Sequence, residues 1–154
     1  MFEGKFVQGM EAAKPALAVR WAVFVEEQGF SGDKEVDEHD ALAHHGMINV
    51  GGKTVAAGRL IMEKPGVLRI GRIAVLKEYR GQGYGDLMVR MLLDRALRYG
   101  AKEILVNGQE RVAAFYERFG FKRCGPNYDE EGCPHVPMSV QAEDVRFPSA
   151  CGAQ

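Results

Sequence analysis

Apolar residues recur along this chain in two rhythms. Between Pro15 and Gln28, Leu17, Trp21, Phe24 and Val25 fall at helical spacing, with Pro15 suited to a first turn and Gly29 able to close the helix. Glu26, Glu27 and Gln28 end it, where carboxylates oppose the helix dipole. A second helix follows Gly85: Leu87, Met88, Met91, Leu92, Ala96 and Tyr99 form one apolar face, Asp86/Arg90 and Asp94/Arg98 are acid-before-base pairs at i,i+4, and Gly100 stops it. A third runs from Arg111 to Phe119, with Val112, Phe115 and Phe119 on one face. Strands are predicted at Phe2–Gln8, His45–Val50, Lys53–Met62, Val67–Leu76, Glu103–Asn107, Phe121–Cys124 and His135–Gln141. Gly51-Gly52 marks a two-residue hairpin and Pro65-Gly66 a turn, while Phe30–Ala41 and Gly125–Pro134 read as loops. These elements predict one α/β domain over residues 1–141, and a polar tail, 142–154, that is expected to be mobile.

With 154 residues, 46% of them hydrophobic, such a domain can bury a core without covalent staples. There is no apolar run of membrane-spanning length, and the first residues lack the basic-then-apolar profile of a secretory signal, so a cytoplasmic protein that avoids membranes is expected. Cys124, Cys133 and Cys151 are odd in number and lack partners at zinc-ligand spacing, which predicts free thiols and no bound metal. The net charge of −1 conceals a partition: −5 over residues 1–52, +8 over 53–123 and −4 over 124–154. A basic middle between acidic ends suits a polyanion on one side and a cation on the other. A nucleic-acid binder would be basic overall, so that class is disfavoured.

The basic middle contains Arg80-Gly81-Gln82-Gly83-Tyr84-Gly85, between an apolar strand and a helix. Glycines at alternate positions let backbone N–H groups turn toward one point, where the helix N-terminus adds partial positive charge. This is an anion site, best suited to a pyrophosphate, although a plain glycine turn has the same residues. A nucleotide-triphosphate loop would need Lys-Ser/Thr after Gly85, where Asp86 and Leu87 stand, and a dinucleotide fingerprint would need a glycine at Asp86. The acidic segment Asp33–Asp40 reads as an acceptor-facing loop; a metal held by Asp37, His39, Asp40 and His44 or His45 is the less favoured alternative.

The order of elements resembles the GNAT superfamily of N-acetyltransferases. Arg80 to Gly85 matches that family's acyl-CoA motif, Arg/Gln-x-x-Gly-x-Gly/Ala, and Ala114-Phe115-Tyr116-Glu117-Arg118-Phe119-Gly120-Phe121 resembles its second signature. Arg20–Gln28, the acidic loop Glu35–His45 and Glu131–Met138 resemble the ElaA-like branch, as does Gln109 where many members carry Asn; Val112 departs from the small residue often found there. The resemblance implies a mixed, central, splayed sheet of six to seven strands flanked by about four helices. It implies that acetyl-CoA lies with its pantetheine on Ile73, Ala74 and Val75, the Val75 N–H near the thioester oxygen, and its pyrophosphate on Arg80, Gly81, Gln82, Gly83, Tyr84, Gly85 and Asp86, with Gln109 also on the cofactor side.

A fixed N–H at the thioester would stabilise the oxyanion of direct attack, an effect of about 2.7–4 kcal/mol per donor. A lysine-like amine, with a pKa of about 10.4, must first lose a proton. Glu27, Asp37, Asp40 and His135 are candidate bases, with Asp37 and Asp40 also candidates for binding the acceptor. By resemblance, Tyr116 protonates the departing CoA thiolate. The expected function is acetyl transfer to a primary amine of a small molecule. An acyl-CoA sensor without turnover is the alternative, and a tRNA-dependent aminoacyl transferase is disfavoured because such proteins tend to duplicate the domain. Dimers are frequent in families of this kind, with the last strands as the expected contact.

Overall fold

The structure, a computed structural model, describes residues 1–149; the expectations for Cys151 and the end of the tail lie outside them. The strands are β1 (Phe2–Gln8), β2 (His44–Val50), β3 (Lys53–Lys64), β4 (Val67–Val75), β5 (Glu103–Gln109), β6 (Lys122–Arg123), β7 (Tyr128–Glu130) and β8 (Cys133–Gln141). Their order is β1-β2-β3-β4-β5-β8-β6, with β7 also paired to β8. The helices are α1 (Lys14–Arg20), α2 (Gly32–Glu35), α3 (Tyr84–Arg98) and α4 (Ala113–Glu117), and a π-helix spans Trp21–Glu27. The expected GNAT-like α/β architecture is present, with one strand more than the six or seven predicted. The chain divides into two compact units, Met1–Ile61 with Arg72–Leu92, and Met62–Gly71 with the residues from Leu93 onward.

In the first unit, β1 pairs antiparallel with β2 from Phe2↔Val50 to Gln8↔His44. Gly51 and Gly52 turn β2 into β3 with φ of 57° and 83°, the doubly left-handed geometry that matches strand twist. Ala16, Val19 and Val23 pack with Met47, Ala57 and Ala74 as a core cluster. Gly46 and Gly58 are cross-strand partners, and α3 lies close upon both. A Cβ on Gly58 would stand 2.9 Å from Leu92 Cδ1 and from Met88 Cγ. This close approach seats α3, whose first turn continues the glycine loop.

The helix predicted over Pro15–Gln28 changes character midway. After Arg20 the chain widens into the π-helix, and the Gln28 N–H donates to the Val23 carbonyl at 3.0 Å. Trp21, predicted on the apolar stripe, is 43% exposed, while neighbouring Arg20 is fully buried. The reason is electrostatic. Arg20 pairs with Glu35 (2.5 Å) and Asp40 (2.8 Å), and Arg59 with Asp40 (3.0 Å) and Asp37 (2.8 Å). Arg72 closes the circuit on Asp37 (3.4 Å) and Glu35 (3.3 Å). Three guanidinium groups and three carboxylates thus alternate in a closed ring that ties together α1, α2, the loop after it, β3 and β4. Buried His45 braces it, its Nε2–H donating to the Asp40 carbonyl at 2.9 Å. Arg72 has φ of 51°, a conformation that costs a non-glycine residue about 1–3 kcal/mol and persists only where its surroundings enforce it.

Burial acts to raise the Asp40 pKa, but hydrogen bonds and charge from Arg20, the Asp37 N–H and the charge of Arg59 outweigh it and hold the carboxyl well below its ordinary 3.8. Asp37 is held below 3.8 in the same way, burial being outweighed by the bonds and charge of Arg59.

In the second unit, the start of β4 pairs in parallel with β5, from Val67↔Glu103 to Ile70↔Val106. The next neighbour, β8, is antiparallel to β5 from Glu103↔Gln141 to Gln109↔His135. The extra strand, β7, lies within the predicted loop Gly125–Pro134 and pairs with β8 through a turn at Glu131-Gly132. Its residues, Tyr128-Asp129-Glu130, are all exposed and carry no apolar alternation to betray a strand. The predicted helix Arg111–Phe119 is a 3-10 turn, Glu110–Val112, followed by α4. The tail starts tied down rather than frayed: the Ala142 N–H donates to the Lys102 carbonyl and the Arg146 N–H to that of Phe119, at 2.8 and 2.9 Å.

Two stability predictions follow from the first unit. Gly58→Ala should overpack the seat of α3 and lower the unfolding free energy by about 1–3 kcal/mol in urea titration. Carboxylates with depressed pKa stabilise above their ordinary value and lose that stabilisation as pH falls through the folded one. Asp37 and Asp40 should therefore make the melting temperature insensitive to pH down to about 4 on their account and steeply falling below it, with a shallower acid limb in Asp40→Asn.

Candidate active site

On the donor side, β4 ends at Val75, and a 3-10 turn over Lys77–Tyr79 leads to Arg80 and the glycine loop. Gly81 and Gly83 have φ of 79° and 89°. A Cβ added at either would meet no protein atom within 4 Å. The glycines therefore serve the left-handed backbone and leave open space outside it, which suits the approach of an anionic group. Tyr84, Gly85 and Asp86 form the first turn of α3, and the Leu87 N–H donates to the Gly83 carbonyl at 3.0 Å. Asp86 accepts from Arg90 Nε at 2.5 Å, and Tyr84 meets the Phe2 ring edge-on. Gln82 is exposed.

Arg80 anchors the loop at two points. Its Nε donates to the Val75 carbonyl at 3.0 Å, and its two terminal nitrogens grip the Glu27 carboxylate at 2.6 Å each. The hydrogen bond to Glu27 pushes the guanidinium pKa still higher. The π-helix and the donor loop are thus joined by a bidentate pair, and Glu27, expected as a base, is placed as the counter-ion of Arg80. Ile73, Ala74 and Val75 lie on β4 directly after left-handed Arg72, with Ala74 buried in the core cluster.

The acidic loop differs in kind from its expected role. Asp40 is fully buried, with both oxygens engaged by Arg20, Arg59 and the Asp37 N–H, so it offers no surface to an acceptor. Asp37 is partly exposed but holds Arg59 through both oxygens. Among the described residues, no group of three or more His, Cys, Asp or Glu is arranged to hold a metal. Glu35, Asp37 and Asp40 are balanced by three arginines, so most of the negative charge counted in this loop is spent inside the protein. Its partners Arg20, Arg59 and Arg72 lie far from it in sequence. The available signal was a charged residue inside an apolar strand, as at Arg59, and beside the helical core positions, as at Arg20.

In the second unit Tyr116 lies on α4 with its ring buried, 7% exposed, in edge contacts with Phe115 and Phe121. The ring packs against β5, where a Cβ on Gly108 would stand 2.9 Å from its Cε2. Among the described residues the Tyr116 hydroxyl makes no hydrogen bond to protein. Burial pushes its pKa upward, which keeps the phenol protonated and able to donate. Gln109 accepts from Arg111 Nε at 3.0 Å and stands opposite His135 in the strand register. His135 donates from Nδ1 to the Cys133 carbonyl at 2.9 Å and stacks on Tyr128 at 5.7 Å. Tyr116, Gln109 and His135 thus gather about one end of β5.

Among the described residues no helix is long and apolar enough to cross a membrane. A model of the acetyltransferase (GNAT) domain matches residues 20–142. The uncharacterized N-acetyltransferase YjcF of Bacillus subtilis is 34% identical over 129 residues, covering 83% of this chain and 91% of that protein. Crystal structures of ElaA from Escherichia coli and of an acyl-CoA N-acyltransferase from Pseudomonas aeruginosa both superpose with a TM-score of 0.82. The first is 25% identical and covers 92% of this chain and 100% of its own; the second is 27% identical and covers 91% and 99%. The chain belongs to the GNAT family and is an acyl-CoA-dependent acetyltransferase.

Proposed function

We propose that the chain moves an acetyl group from acetyl-CoA to a primary amine of a small-molecule acceptor by direct attack, with Tyr116 as general acid. The observation that carries this reading is the Tyr116 phenol: its ring is buried, its pKa is pushed up, and its hydroxyl is committed to no protein group among the described residues. The amine nitrogen bonds to the thioester carbon, the carbon–sulfur bond breaks, and the phenol proton goes to the sulfur. The ammonium proton formed on the amine leaves to a base or to water, and the phenolate is reprotonated from solvent. The glycine loop from Arg80 to Asp86 receives the pyrophosphate, Ile73 to Val75 the pantetheine, and Gln109 assists on the cofactor side.

Among the four candidate bases the geometry favours His135. Asp37 and Asp40, held below the ordinary carboxylate range by arginines, are poor proton acceptors near neutral pH, and Glu27 is committed to Arg80. The bond from Nδ1 to the Cys133 carbonyl orients the His135 ring. Since the ring absorbs most of the acidic loop and Arg80 neutralises Glu27, attraction of a cationic acceptor falls to Glu26, Asp33 and Glu38, with Asp37 contributing at its exposed edge.

Thiol release from acetyl-CoA, measured over polyamines, amino sugars, amino acids and peptide N-termini, tests the proposal. An amine should be acetylated, and Tyr116→Phe should lower kcat by about 10²–10⁴-fold with little change in acetyl-CoA affinity. Acetyl-CoA that raises the melting temperature without thiol release from any acceptor would instead favour a sensor. A Tyr116→Phe enzyme with wild-type kcat would remove the phenol from the mechanism.

A further inference from the structure

Arg72 combines a left-handed backbone with a place in the charge ring. Only two non-glycine residues among those described have left-handed φ, Arg72 and Glu131. Glu131 sits in the turn between β7 and β8, where such geometry is ordinary. Arg72 lies inside β4, with its side chain drawn to the alternating ring. Its Nε and Nη2 donate to the carbonyls of Glu35 and Lys34, both at 3.2 Å, at the end of α2. It is also the outermost member: its side chain is 30% exposed and its ion pairs are the longest in the ring, whereas Arg20 and Asp40 are sealed. The inner ring is therefore an anchor, and Arg72 is where that anchor grips the strand.

We infer that Arg72 is a positioning residue for acyl transfer: the charge ring holds its backbone left-handed and so aims the N–H groups of Ile73 to Val75 at the thioester. The inference rests on the proposed reading that places the thioester at Val75. The mechanism is mechanical. A left-handed residue within a strand redirects the peptide planes that follow it, and Arg72 is three residues before Val75. The conformation is unfavourable for arginine by itself, so it lasts only while Glu35, Asp37 and the α2 carbonyls hold the guanidinium. The pyrophosphate loop is also held by Glu27, outside β4, so disturbing Arg72 should affect the reacting carbonyl more than donor affinity.

The test compares wild type with Arg72→Lys, Arg72→Gly and Arg72→Ala, using acetyl-CoA labelled with carbon-13 at the carbonyl. The carbonyl resonance and the dissociation constant are read by titration, which needs no turnover, and kcat and KM are read with whichever amine proves an acceptor. In wild type the bound carbonyl should move downfield. In Arg72→Ala that shift should be lost and kcat should fall about tenfold to a hundredfold, the scale of an ångström-size misplacement, while the dissociation constant changes less than about threefold. Arg72→Gly, which accepts left-handed φ without the guanidinium, should recover part of both signals, and Arg72→Lys less. These two variants also cover an Arg72→Ala protein that does not fold. A carbonyl shift and kcat unchanged in Arg72→Ala, or a wild-type complex with no shift, would overturn the inference. Failure of acetyl-CoA to bind any of the four proteins would instead overturn the functional reading beneath it.

Discussion

Six charged side chains in an alternating ring carry the first unit of this protein. Each guanidinium of Arg20, Arg59 and Arg72 meets two of the carboxylates of Glu35, Asp37 and Asp40, and each carboxylate meets two guanidinium groups. Burying single charges in this way would cost several kcal/mol each, and closure is what makes the arrangement tolerable, because no member is left without an opposite neighbour. The ring has Arg20 at the end of α1, Glu35 at the end of α2 and left-handed Arg72 within β4. Removing any inner member would leave a buried charge uncompensated, so the ring is expected to act as one cooperative object rather than as six independent bonds.

The proposed donor half of the active site hangs from this object at two places. Arg72 shapes the start of Ile73–Val75, and the π-helix that begins at Arg20 carries Glu27, which grips Arg80 at the head of the glycine loop. The loop itself needs little beyond backbone: two left-handed glycines, open space around them, and a helix seated close to the sheet by Gly46 and Gly58. Tyr116 stands in the second unit on a simpler footing, an aromatic ring against Gly108 with its hydroxyl uncommitted.

The parts legible in the sequence are those whose signal is local. The glycine spacing at 81, 83 and 85, the Gly51-Gly52 hairpin and the apolar face of α3 each declare themselves within a few residues, and the structure keeps them. The ring was hidden because its members lie far apart in sequence, 15 residues between Arg20 and Glu35 and 35 between Asp37 and Arg72. Asp37 and Asp40 accordingly looked like a loop free to meet a ligand. Periodicity placed Trp21 inside and said nothing of Arg20, because hydrophobic pattern cannot anticipate a buried cation whose partners are not yet known. β7 escaped for the opposite reason: it buries nothing, so backbone pairing alone makes it a strand.

Hydrogen exchange on the ligand-free protein tests the central claim, that the charge ring preorganises β4 ahead of the donor loop. Peptides covering residues 69–76 and 84–98 would be followed in wild type and in Glu35→Gln, which weakens the ring without altering a residue of β4. The account predicts faster exchange over 69–76 in the variant with 84–98 unchanged. Equal exchange over 69–76 in the two proteins would contradict it.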